Sequence, residues 1–471
     1  MATPFSALSA LQRAEQLLDA GTFVPLSDIS ADVPLVAGAG LLAGAPVLVA
    51  FLDGHVHGGT VGLREAGILA RVAEQAAGGR ASRQRPPALI LGFDTGGVRV
   101  DEGPIALAAA SAVGVALARL TLTGVRLAAV ISGPRGCFGA PAVMAALPER
   151  IIMTADAHWG LTGPKLLGGI LDGVAPEQAG LMATSAATRL GNGDAHAVVA
   201  DASAAVRAEL QDFIHAADRP VLPLEQRIAA SAAVSATLHE RLRAAGAEAV
   251  PAAPRRRRDL LRYSFRGQWH PNGPVQRRGL IDAALGTLGE RPALGFIVGP
   301  EPVRSGGVGL AEAAVVCDML RLATAAPTAQ CAAVLTFLFC QGHAVDYAQE
   351  RFGLPRGLAE CLRALVAARL RGHPIVSVLG GGTYGAAYLA LAAPSHRILA
   401  MRGTAVAPMA PQVLQAFEAL RGHKVRQESG PQLAELIPDI RIVESVIRLP
   451  RVLREELLQL MTTVQPEDAA S

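Results

Sequence analysis

Gly133-Pro-Arg-Gly-Cys-Phe-Gly-Ala140 is the stretch that decides the fold. It follows an apolar run, Leu127 to Ile131, of the length and composition of a strand buried on both faces. It precedes a second apolar run, Pro141 to Leu147, that reads as the start of a helix. Strand, glycine turn and helix start in succession leave backbone N–H groups without an acceptor inside the helix. Such groups suit an oxyanion or a phosphate. The pattern recurs in the second half: Ile375 to Leu379 is the strand, Gly380-Gly-Gly-Thr-Tyr-Gly-Ala386 the turn, and Ala387 to Ala392 the helix start. Two copies predict a duplicated unit with two facing anion sites.

Working outward from the first turn, Pro46 to Leu52, Pro87 to Phe93 and Ile151 to Thr154 read as further buried strands. Ser6 to Ala20, Leu63 to Ala77 and Pro104 to Leu120 read as helices, and residues 22–44 as an irregular surface segment. Continuous apolar strands separated by helices predict parallel pairing and an α/β fold. The second half repeats the order. Ser305-Gly-Gly-Val-Gly-Leu-Ala-Glu-Ala313 parallels Gly58-Gly-Thr-Val-Gly-Leu-Arg-Glu-Ala66, and Cys340-Gln-Gly-His343 answers Thr95-Gly-Gly97. Recurrence of both spacing and residue type predicts an internal repeat. Pro251-Ala-Ala-Pro-Arg-Arg-Arg-Arg258 reads as a linker, dividing the chain into domains at 1–250 and 276–471 around a connector at 251–275.

Composition narrows the function. The chain has 471 residues, 51% of them hydrophobic and 4% aromatic, and a net charge of +3. That balance gives no basic field for nucleic acid. The five cysteines contain no C-x-x-C pair, so no zinc ribbon is expected and no metal is assigned. The N-terminus shows no signal-peptide pattern, and Ile105 to Leu117 is too short an apolar stretch to span a bilayer. A soluble cytoplasmic protein is expected.

Candidate site residues sit on the turns. Gly136 to Gly139, with Cys137 and Phe138 between, present N–H groups at a helix start. Gly96 and Gly97, in Asp94-Thr-Gly-Gly-Val-Arg99, supply the other wall, and Arg99 either holds a carboxylate or pairs locally with Asp101 or Glu102. Gly381, Gly382, Tyr384 and Gly385 are the second-half counterparts, and His343 orients or protonates a substrate or is a solvated loop histidine. Cys137 has no local base and reads as a packing residue rather than a nucleophile. His55 and His57 lack a third metal ligand and read as surface histidines. Arg255 to Arg258 is a solvated linker or a docking patch for an acidic carrier.

Leu11-Gln-Arg-Ala-Glu-Gln-Leu-Leu-Asp-Ala-Gly-Thr-Phe23, Asp94 to Arg99, Gly136 to Gly139 and Gly160-Leu-Thr-Gly-Pro164 together resemble the β subunit of biotin-independent malonate decarboxylase. Gly372-His-Pro-Ile-Val376 and Gly380 to Ala386 resemble its γ subunit, so the chain resembles a β–γ fusion. The wider family is the carboxyltransferase branch of the crotonase superfamily. The resemblance implies two tandem crotonase-like domains of repeated ββα units, with the active site between them. It implies decarboxylation of malonate held as a thioester on an acyl carrier protein, through a phosphoribosyl-dephospho-CoA arm, with no cofactor bound directly. It implies two partners, the δ-type carrier and an α-type acyl-carrier transferase. On this reading Gly97 and Gly139 line the thioester-oxygen hole, and Gly382 and Gly385 line a second hole for the departing carboxylate. The sequence departs from the family pattern at Lys165, where an acidic residue is usual, and after Gly385, where a histidine is usual. Two alternatives stand beside this reading: a biotin-dependent acyl-CoA carboxyltransferase, and a non-catalytic carrier-binding subunit.

Overall fold

A computed structural model gives the fold, describing residues 3–26, 30, 32–78, 88–170, 176–216, 222–244, 269–271, 275–288, 291–299, 307–324, 333–340, 342–422, 424–425, 431–437 and 439–466. The proposed connector, with its arginine run, lies outside these residues but for 269–271 and 275.

The first half is a seven-stranded sheet in simple sequential order, β1 (Val24–Pro25), β2 (Leu35–Leu42), β3 (Ala45–Leu52), β4 (Ala88–Phe93), β5 (Leu127–Ile131), β6 (Arg150–Thr154) and β7 (Ala197–Val199). From β3 to β7 the pairing is parallel, as continuous apolar strands with helical crossovers require. The sheet opens instead with an antiparallel hairpin, β2 on β3. Residues 22–44, expected to be irregular, therefore contain a full strand. Its Ala-Gly-Ala-Gly core carries small residues because Phe23 packs on it: a Cβ at Gly38 would lie 2.1 Å from the Phe23 ring.

The helices of this half are α1 (Ala10–Leu17), α2 (Leu63–Gly78), α3 (Gly103–Thr123), α4 (Ala140–Ala145), α5 (Pro164–Ile170), α6 (Pro176–Thr184), α7 (Ala186–Gly191), α8 (Ser203–His215) and α9 (Leu224–Ala244). α1 begins in a capping box, Ser9 with Gln12, which closes two otherwise unpaired N–H groups. α1 and α8 cover one face of the sheet, over Phe51, Ile90, Val130 and Ile152. α2 and α3 cover the other.

The second half follows the same succession. β8 (Trp269–Pro271) and β9 (Gln276–Arg278) edge an antiparallel hairpin of β10 (Ile281–Leu288) and β11 (Arg291–Val298). The sheet continues in parallel through β12 (Ala333–Leu338) and β13 (Ile375–Leu379), and β14 (Gly382–Tyr384) branches off. β15 (Arg397–Met401) resumes the main sheet, β16 (Ala405–Ala407) pairs with β14, and β17 (Ile440–Val443) closes the main edge. Its helices are α10 (Leu310–Thr324), α11 (Tyr347–Arg351), α12 (Leu354–Leu370), α13 (Gly385–Ala387), α14 (Pro411–Arg421), α15 (Pro431–Leu436) and α16 (Leu449–Thr463). A π-helical turn, Tyr388–Ala392, continues α13 where a regular helix was expected.

Local geometry repeats as well. Gly62 N–H donates to Glu65 Oε2 at 2.8 Å at the start of α2, and Gly309 N–H donates to Glu312 Oε2 at 2.9 Å at the start of α10. Val61 bridges Val98 in parallel, and Val308 bridges His343 in parallel.

The inner helical layers of the two halves share one core. α3 and α4 lie against α12 and the π turn, with Leu389 seated at Gly114 of α3, where a Cβ would come within 2.6 Å of Leu389 Cδ1. α9, assigned by sequence to the first domain, packs on α10 and α12 of the second half. α3 with the turn before it, Val100–Thr123, is long and apolar enough to cross a bilayer by composition, longer than the stretch legible in sequence. Here it lies in the core between the halves, with Leu107, Val113, Leu117 and Leu120 buried.

Candidate active site between the two halves

A cavity of about 430 Å³ opens where the strand ends of the two sheets face each other. Its floor is built from four turns. Gly96-Gly97-Val98 and Phe138-Gly139-Ala140 come from the first half; Gly342-His343 and Tyr384-Gly385-Ala386 come from the second. Leu161 and Thr162 join them from the loop before α5. Leu166, Leu181, Val413 and Phe417 form apolar walls, and Arg135, Lys165 and Glu177 stand at the solvent edge.

The two pairs of turns correspond. Gly97 and Gly342 both hold a left-handed φ, 120° and 110°, and a Cβ there would lie 3.5 Å from Phe138 O and 3.4 Å from Tyr384 O respectively. Gly139 and Gly385 hold φ of 67° and 51°. A side chain at Gly139 would meet Gly97 Cα at 3.3 Å, so a glycine there lets the two turns of the first half touch.

The N–H bookkeeping corrects the assignment of donors. Gly97 N–H donates to Thr95 Oγ1 at 3.1 Å, and Gly139 N–H donates to Leu161 O at 3.0 Å. Neither is free to hold an oxyanion. The next residue along each turn is free: among the described residues, Val98 and Ala140 N–H have no acceptor, and both residues line the cavity. The same holds for His343 and Ala386 in the second half. The glycines shape the turns, and the residues after them present the donors. α4 is held from behind by the second half, where Arg356 and Arg363 donate to Ala146 O at 2.7 Å and Leu147 O at 2.9 Å, satisfying carbonyls at its C-terminal end.

The remaining expected residues separate. Phe138, Tyr384, Gly96 and the His343 side of its turn line the cavity. Gly136 and Cys137 do not; they pass behind it. Gly136 packs against His158 O, which a Cβ would approach to 2.3 Å, and Cys137 N–H donates to the same oxygen at 2.9 Å. Burial pushes the Cys137 thiol well above its ordinary range, so it is a packing group and no nucleophile. Arg99 is turned away: Glu65 at 3.1 Å, Glu102 at 2.9 Å and Thr60 O at 3.1 Å hold its guanidinium. The local-pair reading of Arg99 therefore replaces the substrate-binding one, with Glu65 as an added partner. Gly381 and Gly382 belong to the approach to β14 and the strand itself, outside the cavity lining.

His343 is half-buried at the cavity wall, and desolvation by the surrounding protein pushes its pKa down to about 4. At neutral pH it is an uncharged imidazole, with Nε2 at 3.1 Å from Thr162 Oγ1. His55 and His57 are exposed, and His55 Nδ1 pairs with Asp53 Oδ1 at 2.9 Å. Asp94, at the end of β4, is fully buried; it takes Arg13 at 3.0 Å and Arg135 N–H at 3.0 Å, which anchors the turn Gly133–Gly136 to the N-terminal helix. Thr162 lies in the Gly160–Pro164 motif, but nothing in its surroundings marked it in sequence as a partner of His343.

The carboxyl transferase domain model matches residues 6–260, more than half of the chain, and the chain belongs to that family. Among curated relatives, the malonyl-S-ACP:biotin-protein carboxyltransferase of Malonomonas rubra is 28% identical over 188 residues, which is 35% of this chain and 59% of that one. The acetyl-coenzyme A carboxylase carboxyl transferase subunit beta of Desulforamulus reducens is 32% identical over 133 residues, 28% of this chain and 44% of that one. The match thus spans about half the length of each of these relatives. Among solved structures, a chain of the Pseudomonas malonate decarboxylase hetero-tetramer in complex with malonate is 31% identical, covering 45% of this chain and 84% of that one, with a TM-score of 0.43.

Proposed function

We propose that this chain decarboxylates a malonyl thioester carried on an acyl carrier protein, releasing CO2 and leaving the acetyl thioester. The observation that carries the reading is the paired set of unbonded N–H groups, Val98 with Ala140 and His343 with Ala386, facing one cavity from the two halves.

The chemistry follows from those donors. Breaking the C–C bond to the carboxylate sends its electron pair onto the thioester as an enolate, and the negative charge moves to the thioester oxygen. N–H groups fixed at that oxygen hold the enolate more strongly than the neutral carbonyl, which lowers the barrier. A single donor of this kind contributes roughly 3 kcal/mol. Val98 and Ala140 take the thioester oxygen in this assignment, and His343 and Ala386 take the carboxylate. The enolate carbon then takes one proton to give the acetyl group. Uncharged His343 keeps a cation away from the carboxylate, so the site does not stabilise the starting anion beyond its N–H contacts. The apolar walls, Leu161, Leu166 and Phe417, strip water from the departing carboxylate. The arm of the carrier enters from the edge bearing Arg135 and Lys165. A carrier protein and a transferase that loads it are the proposed partners, in the cytoplasm, and the two domains act as one site. The chain supplies the donors, and the thioester arm arrives with the substrate.

Mass spectrometry of malonyl-carrier incubated with the chain, without biotin, tests the reading. A loss of 44 Da (the mass of CO2) from the carrier is expected. A malonyl group that stays intact until a biotinylated protein is added, and then passes its carboxylate to the biotin to leave the acetyl thioester, would replace the reading with the carboxyltransferase. No turnover in either case, with the carrier retained, would leave a binding subunit.

A further inference from the structure

Glu350 sits on α11 in the second half, yet its side chain serves the first. It is fully buried. Its Oε1 accepts Leu161 N–H at 3.1 Å and Thr162 N–H at 2.7 Å, and its Oε2 accepts Leu161 N–H at 3.0 Å. Its own carbonyl accepts the guanidinium of Arg189 at 2.6 Å, and Arg189 also holds Trp159 O at 2.9 Å and Ala183 O at 3.1 Å. The segment 159–162 is thereby gripped from both sides.

That segment touches both donor pairs. Leu161 O is the acceptor of Gly139 N–H, the bond that sets the turn presenting Ala140. Thr162 Oγ1 is the partner of His343 Nε2, on the turn that presents the His343 N–H. Glu350 itself is not part of the cavity wall. We propose that Glu350 is a positioning residue: from the second half it fixes the Leu161–Thr162 peptide, and through it the Ala140 and His343 donors of the two facing turns.

A carboxylate is required by the count of bonds. Leu161 N–H is shared between two oxygens that both only accept, and Thr162 N–H takes a second site on one of them. An amide at this position would turn one acceptor into a donor facing Leu161 N–H. Burial pushes the Glu350 carboxyl above its ordinary range, and Arg189 and the two backbone donors oppose that shift only in part.

The kinetic part of the test rests on the decarboxylase reading; the exchange part does not. Glu350→Gln is compared with the wild-type chain by hydrogen exchange and by CO2 release from malonyl-carrier. Exchange is expected to rise at least tenfold in peptides covering 139–140 and 159–162, with β5 unchanged. kcat is expected to fall at least tenfold with KM within threefold, because the donors are displaced while the apolar walls remain. If Glu350→Gln does not fold, Glu350→Asp, which keeps both oxygens on a shorter arm, is expected to shift both readouts in the same direction. Unchanged exchange at 159–162 would overturn the proposal, as would raised exchange with wild-type kcat. A wild-type chain that releases no CO2 removes the decarboxylase reading alone, and the exchange comparison still decides whether Glu350 holds the segment.

Discussion

At the scale of single residues, the glycine turns read from sequence meet at one cavity, but the sequence did not show which of their N–H groups lack an acceptor. Gly97 and Gly139 stood out because they lack side chains, yet their N–H groups are occupied by Thr95 Oγ1 and Leu161 O. The second of these acceptors is distant in sequence, so the bond that passes the donor role to Ala140 had no local signature. Arg99 was ambiguous for the same reason. A guanidinium near two acids and a glycine turn fits a carboxylate clamp or a structural pair, and Glu65, which lies on a different helix, settles it. Arg99→Ala should leave KM for the malonyl thioester within twofold of wild type. It should also lower stability in urea by about 1–3 kcal/mol, since it leaves a buried Glu65 carboxylate short of its partner. A KM rise of tenfold or more would return Arg99 to the substrate.

At the scale of elements, strands made of Val, Ile and Leu between glycines were legible, and strands made of small residues were not. β4, β5 and β13 are continuous apolar runs that fall where the pattern puts them. β2 and β10 carry Ala-Gly-Ala-Gly and Asp-Ala-Ala-Leu-Gly, which lack the β-branched signature and owe their pairing to their hairpin partners and the packing beneath. Strand starts also carry a titratable device. Ile375 N–H, at the start of β13, donates to His396 Nδ1 at 3.1 Å, and burial with Arg369 and Arg397 nearby pushes the imidazole pKa down to about 4. Unfolded histidine titrates near 6.5, so between roughly 6.5 and 4 the unfolded chain binds the extra proton. Stability from this group is therefore present above about pH 6.5 and is lost as pH falls towards 4. His396→Asn, which can offer Oδ1 in place of Nδ1 without titrating, should narrow the stability difference between pH 7.5 and pH 5 by about 1 kcal/mol after solvent screening. Equal pH dependence in variant and wild type, followed by urea unfolding, would show that this contact does not sense pH.

At the scale of the whole molecule, the fold places two similar sheets back to back through their helices, so that two equivalent turns from each end at one cavity. The recurring local features, glycine turns, Gly-x-x-Glu helix starts and parallel strands, were legible in sequence because each is carried by a short run of residues. The face between the halves was not, because Glu350, Arg356 and Arg363 act on carbonyls and N–H groups roughly two hundred residues away, by the chain separations of 189, 210 and 216. The central claim is that a pair of donors from each half acts on the malonyl thioester, Val98 and Ala140 on its oxygen and His343 and Ala386 on its carboxylate. It is tested by kcat and KM for CO2 release from malonyl-carrier with Ala140→Pro and Ala386→Pro. Both positions lie in a first helical turn, where proline fits the backbone and removes only an N–H that has no partner. Ala140→Pro is predicted to lower kcat about 10²- to 10³-fold with a much smaller change in KM, and Ala386→Pro to raise KM, because its donor serves the carboxylate already charged in the substrate; wild-type kcat and KM in both folded variants would contradict the account.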